Sequence, residues 1–229
     1  LRNYFELPDA NLTWVSDLRE SQLTKVAARY PSLHLTTDYR DALNDPSVDA
    51  VLIATPISTH YDIAKEALEA GKHVFVEKPM TSDAAESSEL VDFAADKGLT
   101  LMVGHTFVYS PPVRKVKDLI DAGVLGDIYF VTTQRVNLGL HQRDVSVVWD
   151  LAPHDLSILY YWLGEHANAV SVNGRGCVVA DIPDVAFINL EFPSGVVAEI
   201  QVSWLSPVKL RRTVVVGSEK MLVYDDTEN

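Results

Sequence analysis

Three residues have the types and spacing of a proton-transfer set. Asp150 and His154 stand four apart in WDLAPHDLSIL, and Lys78 sits in the tripeptide Glu77-Lys78-Pro79. On a helix, a separation of four puts two side chains on one face, one turn apart. A carboxylate in that place orients an imidazole for work as a general base. Pro153 suits a helix only in its first turn, so the motif is expected at the start of a helix over residues 149–163. Taken alone, a capping aspartate beside a packed histidine explains the same motif slightly better. Lys78 raises a different question, because HVFV (73–76) reads as a buried strand and then meets two adjacent charges and a proline. Neighbouring strand residues point to opposite faces, so Glu77 and Lys78 need not pair with each other.

The elements around Lys78 set its meaning. Residues 12–104 alternate short apolar strands with helices: LTWVS, LHLTTD, VDAVLIAT, KHVFVE and LTLMVGH, separated by helical stretches that end at Gly71 and Gly98. Strands apolar throughout and separated by helices imply a parallel sheet covered on both faces. That is the doubly wound α/β (Rossmann) pattern, which binds ligands beyond the carboxyl ends of its strands. Lys78 stands at such an end, where a lysine can polarise a substrate hydroxyl beside a nicotinamide.

After residue 105 the rhythm changes. A helix opens at the proline pair of SPPVRKVKDLIDAG, and a long alternating strand follows over 126–138. The helix carrying Asp150 and His154 comes next. Five alternating strands then run to the end, expected as a meander in an α+β domain with a large, open, antiparallel-rich sheet. The expected domains are 1–105, an incomplete dinucleotide-binding half lacking its first strand, and 106–229, an incomplete substrate and oligomerisation domain. Leu1 is not Met, LRNYFELPDA reads as the second half of an amphipathic helix, and the chain stops just after a strand. Truncation at both ends is the expectation.

Composition narrows the classes. A formal net charge of −13 lacks the basic footprint of a nucleic-acid binder and disfavours an anionic membrane surface. No apolar run is long enough to span a bilayer. Cys177 is the single cysteine, so no internal disulfide can form, and GRGCVVA suggests a buried packing residue. No metal-ligand spacing is present. A reducing, cytoplasmic setting is the default expectation.

Other positions could bind ligands. Asp17, just past the strand LTWVS, stands where an acidic residue binds adenosine ribose hydroxyls and selects NAD over NADP. A helix-start acid explains it equally well, and Arg19 nearby keeps NADP open. Thr55, Pro56 and His60 in ATPISTH follow a strand at its carboxyl end, though an ordinary turn fits as well. Arg135 and Asn137 in QRVNLG could bind sugar hydroxyls or a phosphate, while a solvated face is the commoner explanation. No G-x-G-x-x-G loop is present in the 229 residues.

ATPISTH, then EKP, then the Asp150/His154 motif ahead of an antiparallel-rich sheet, together resemble the Gfo/Idh/MocA family of NAD(P)-dependent oxidoreductases. The resemblance covers nearly the whole chain and rests on order and spacing. It implies a Rossmann domain, a C-terminal α/β domain whose open sheet mediates homo-oligomers, and hydride transfer with NAD or NADP. By resemblance, Lys78 touches cofactor and substrate, His154 is the acid/base, and Asp150 orients it. Asp17, Thr55, Pro56, His60 and Glu77 would line the cofactor, and Arg135 and Asn137 the substrate. Two departures stand out. The glycine loop is missing, and Ser157 replaces an aspartate three residues after the histidine, with Asp155 directly following it instead. Several stretches, among them HTFVYSPPVRK and SWLSPVKLRRTVVVGSEKMLVYDD, resemble the subgroup acting on nucleotide sugars, which oxidises a C3 hydroxyl. A non-catalytic sensor and an NAD-dependent glycosidase on the same fold are the alternatives.

Overall fold

The computed structural model describes residues 1–139 and 145–227. The chain divides into two compact units, Leu1–Val103 and Gly104–Asn229.

In the first unit, helices α1 (Arg2–Glu6), α2 (Glu20–Arg29), α3 (Arg40–Leu43), α4 (His60–Glu69) and α5 (Ala84–Lys97) alternate with five short strands. These are β1 (Trp14–Ser16), β2 (His34–Thr36), β3 (Ala50–Ile53), β4 (His73–Val76) and β5 (Leu101–Val103). All pairings are parallel, as the apolar runs require. The strands form a pair, β1-β2, and a triplet, β3-β4-β5. A doubly wound sheet in the order 3-2-1-4-5-6 divides in this way when its first strand is left out. Ile53, Val74 and Val76 pack with Ala64, Ala67 and Leu68 of α4 and with Leu90 and Ala94 of α5. Helix α5 is well bounded. The Asp83 carboxylate accepts the Ala85 and Glu86 amides, and Gly98 closes the far end at φ +64°.

The second unit packs helices α6 (Pro111–Asp121) and α7 (Val147–Leu163) with a six-stranded sheet. Its strands are β6 (Ile128–Leu138), β7 (Ala169–Arg175), β8 (Val185–Glu191), β9 (Val197–Ser203), β10 (Leu205–Gly217) and β11 (Met221–Asp225). The spatial order is β11-β10-β6-β9-β8-β7. The expected meander is therefore interrupted: β7-β8-β9 and β10-β11 are antiparallel, while β6 lies between the two groups and runs parallel to β9. Ala186, Ile188, Ile200 and Val202 of the sheet join Val147, Ile158, Leu159 and Trp162 of α7 in the core. Trp162 Nε1 donates to the Val113 carbonyl at 2.9 Å, tying α7 to α6.

Two local expectations are corrected. Helix α7 starts at Val147, so Pro153 lies inside it and His154 falls in its second turn, while Asp150 keeps the first. An interior proline costs a helix about 3 kcal/mol. Burying Val147 completely returns about 1.5–3 kcal/mol, and Val147 N–H also donates to the Pro183 carbonyl at 2.9 Å. The second is Cys177, which is exposed rather than packed. The buried group nearby is Asp184, whose carboxylate accepts the amides of Cys177 and Val178.

Candidate functional site

At the end of β1 the Asp17 carboxylate holds Arg19. It accepts from the Arg19 amide at 2.9 Å and from Nε and Nη2 of its guanidinium at 3.1 and 3.2 Å. These bonds hold the Asp17 carboxyl below the ordinary carboxylate range. A ribose hydroxyl at this place would meet a carboxylate already shared with a guanidinium.

Beyond β3, Thr55 and Pro56 are exposed at the carboxyl end of the strand. Thr59 Oγ1 donates within this turn, 2.7 Å from Thr55 Oγ1 and 2.8 Å from the Pro56 carbonyl. His60 is the first residue of α4 and is only 2% exposed. Its Nδ1 lies 2.9 Å from the Pro79 carbonyl and its Nε2 2.8 Å from the Thr55 carbonyl. Both ring nitrogens of His60, expected to line a cofactor, face backbone carbonyls. Glu77 N–H donates to the Ile53 carbonyl at 2.9 Å, carrying the β3-β4 ladder one residue past the strand. Glu77 and Lys78 are half-buried, and the peptide joining Lys78 to Pro79 is cis.

In the second unit, Trp204, between β9 and β10, donates from Nε1 to Asp150 Oδ2 at 3.0 Å. Its backbone carbonyl accepts the Gly139 amide at 2.9 Å. A Cβ on Gly139 would lie 2.7 Å from Trp204 Cδ1, so glycine is what lets the strand end and the indole approach. The His154 ring meets Phe107 edge-on, with centroids 4.8 Å apart.

Phe107 also carries the guanidinium carbons of Arg135 and Arg211 at 4.5 and 5.5 Å from its centroid. Arg135 and Arg211 are directly opposed across the β6-β10 ladder. Opposed like charges repel, and a carboxylate holds each of them. Asp155 accepts from Arg135 Nε and Nη2 at 2.8 and 3.1 Å, and Asp226 accepts from Arg211 Nη1 at 3.1 Å. Burial pushes the Asp155 carboxyl up, and both arginines oppose that shift. Arg135, expected to bind substrate, is buried, bidentate to Asp155 and stacked on Phe107. Asn137 stays half-buried at the end of β6.

The sequence reading missed Trp204, Phe107, Asp155 and Gly139 as parts of this arrangement. The one available signal was Gly139 closing QRVNLG, a small residue where a strand meets something bulky.

Residues 1–105 match the model of the oxidoreductase family with an NAD-binding Rossmann fold, and residues 113–223 match that of the GFO/IDH/MocA C-terminal domain. This chain belongs to the Gfo/Idh/MocA family. Among relatives, it is 32% identical over 229 aligned residues to the scyllo-inositol 2-dehydrogenase (NAD(+)) of Bacillus subtilis, covering 93% of this chain and 66% of that protein. It is 30% identical to the UDP-N-acetylglucosamine 3-dehydrogenase of Acidithiobacillus ferrooxidans over 80% of this chain and 57% of that enzyme. The chain thus spans less than two thirds of these curated relatives. Among solved structures, GenD2 from gentamicin A biosynthesis, in complex with NAD, superposes with a TM-score of 0.90 at 28% identity. That match covers 98% of this chain and 67% of GenD2. Among the described residues, no helix is long and apolar enough to cross a membrane and no cluster could hold a metal ion.

Proposed function

We propose that this family member transfers a hydride between NAD and a secondary hydroxyl of a sugar, inositol or nucleotide sugar, with C3 the position oxidised. One observation carries the reading: Asp150, held by Trp204, stands one helical turn before His154, whose ring is packed by Phe107. A carboxylate and an imidazole fixed from outside their own helix are a preorganised proton-transfer pair.

The cofactor side rests on fit. Asp17, Thr55, Pro56 and Lys78 stand at or just past the carboxyl ends of parallel strands, where such folds take dinucleotides. Asp17 would hold the ribose hydroxyls, with Arg19 in place to meet a 2′-phosphate if NADP is used. When bound, NAD supplies the two-electron acceptor. The residues of the chain do the rest. Lys78 Nζ polarises the hydroxyl and offsets charge growing on its oxygen. The His154 imidazole takes the hydroxyl proton, and Asp150 keeps that ring oriented. Asn137, at the end of β6, contributes polar contacts to the sugar.

The relatives support this substrate class by name, since one is an inositol dehydrogenase and another acts on UDP-N-acetylglucosamine. A homo-oligomer through the open sheet belongs to the same proposal. Val197, Phe130, Val216 and Met221 form one apolar row across four neighbouring strands, with Val197 and Met221 well exposed. The test of the reading is NADH formation by the purified protein with scyllo-inositol and UDP-N-acetylglucosamine as probes. NADH from either supports it. Tight NAD binding with no turnover of either probe or of other hexoses points to a sensor, and release of an aglycone without net NADH points to a glycosidase.

A further inference from the structure

Lys78 is useful as a catalytic residue only if its backbone is fixed, and it follows β4 in a loop with no ladder of its own. On the N-terminal side the fixing is visible, since the Glu77 amide donates to the Ile53 carbonyl at 2.9 Å. On the C-terminal side the tether is His60. The imidazole reaches the Pro79 carbonyl at 2.9 Å through Nδ1 and the Thr55 carbonyl at 2.8 Å through Nε2. It therefore bridges the two loops that leave adjacent strands at their carboxyl ends. The ring is 2% exposed, so water does not compete for either bond. Carbonyl oxygens only accept, so the ring nitrogen that carries the proton donates to the carbonyl it faces, and the ring fills the space between the two loops. Its base is rigid: the ring rises from the first turn of α4, whose Ala64 packs beside fully buried Val76 of β4. Farther along the same loop, Thr81 Oγ1 donates to the Asp83 carbonyl at 2.5 Å, fixing the entry to α5.

We propose that His60 is a positioning residue that clasps the loop after β4 to the loop after β3 and thereby sets the place of Lys78. The catalytic part of this inference rests on the role assigned to Lys78; the clasp itself does not.

The first measurement needs no variant. Ring-nitrogen NMR of the whole chain should show an exchange-protected N–H proton on the His60 ring; a ring proton that exchanges freely overturns the clasp. The second compares three substitutions. His60→Phe keeps the volume and neither bond, whereas His60→Asn and His60→Gln can each restore one bond through a single amide nitrogen. The Phe variant should speed amide exchange at Glu77 and Lys78 by about three- to tenfold, the worth of one lost hydrogen bond. Core amides such as Val74 and Leu68 should stay protected, and one of the amide variants should recover part of the loss. Equal exchange in all variants overturns the proposal. In the active enzyme the Phe variant should lower kcat by about tenfold or more with KM changed by less than about twofold. Faster exchange with full turnover leaves the clasp standing and removes Lys78 from the chemistry.

Discussion

Trp204 Nε1 donates to Asp150 Oδ2 at 3.0 Å, joining a strand end to a helix start across 54 residues of sequence. A carboxylate that must orient an imidazole needs its own second donor, or it rotates with its side chain. Under the proposed role of Asp150, the indole is that donor, set in the 1% exposed interior of the second unit. Replacing Trp204 with Phe keeps most of the volume and removes the donor. Hydrogen bonds to charged groups are worth about 1.5–3 kcal/mol, so kcat should fall by about 10- to 100-fold if orientation is the role. Steady-state kinetics on Trp204→Phe, Asp150→Asn and the double variant check this. The double should lose little beyond the worse single.

Gly139→Ala should act on the same pair from the other side. The added Cβ would lie 2.7 Å from Trp204 Cδ1 and 3.0 Å from Cγ, both atoms of a rigid, buried ring. Overpacking of this kind costs about 1–3 kcal/mol. Urea unfolding should show that loss, and the Trp204 indole resonance should shift in the folded state.

The buried pair of Arg135 and Asp155 should show the asymmetry of such ion pairs. Their side chains are 7% and 3% exposed. Asp155→Asn or Arg135→Met alone leaves a charge without its partner and should cost about 3–5 kcal/mol. The double variant should cost clearly less than the sum, read as a coupling energy in a double-mutant cycle from denaturant unfolding.

Acid stability of the first unit should depend on Asp45. Hydrogen bonds from Ser47 and from Trp14 Nε1 lower its pKa from 3.8 to about 2. A depressed folded-state pKa contributes stability that is full above the unfolded value and is lost as pH falls from 3.8 towards about 2. Asp45→Asn should therefore flatten the pH dependence of stability in that window and leave the slope near neutrality unchanged. Thermal unfolding as a function of pH measures it.

The parts of this structure that were legible in the sequence are those written locally. Apolar runs such as VLI and HVFV, bounded by Gly71 and Gly98, specify parallel strands between helices with no distant information. The spacing of Asp150 and His154 likewise specifies one helix face. What could not be read is set by pairing across long separations. The insertion of β6 between β9 and β10 is a choice among registers that all satisfy the same alternation. Trp204 looks like any core aromatic until its indole is placed beside Asp150. The burial of His60 and Arg135 is likewise not written locally, since it depends on elements that pack over them from elsewhere in the chain. Pro153 misplaced the start of α7 because the rule for proline is local and the burial of Val147 is not.

The central claim is that His154 moves the proton while Lys78 holds the hydroxyl, and one measurement bears on it most directly. NADH formation should be followed in the purified protein and in His154→Asn and Lys78→Met, with scyllo-inositol and UDP-N-acetylglucosamine offered to each. NAD affinity should be measured alongside by fluorescence. The account predicts turnover of at least one probe, a loss of about 10²- to 10⁴-fold in each variant, and NAD affinity within a few fold of the parent. Parent-like turnover in His154→Asn would contradict it.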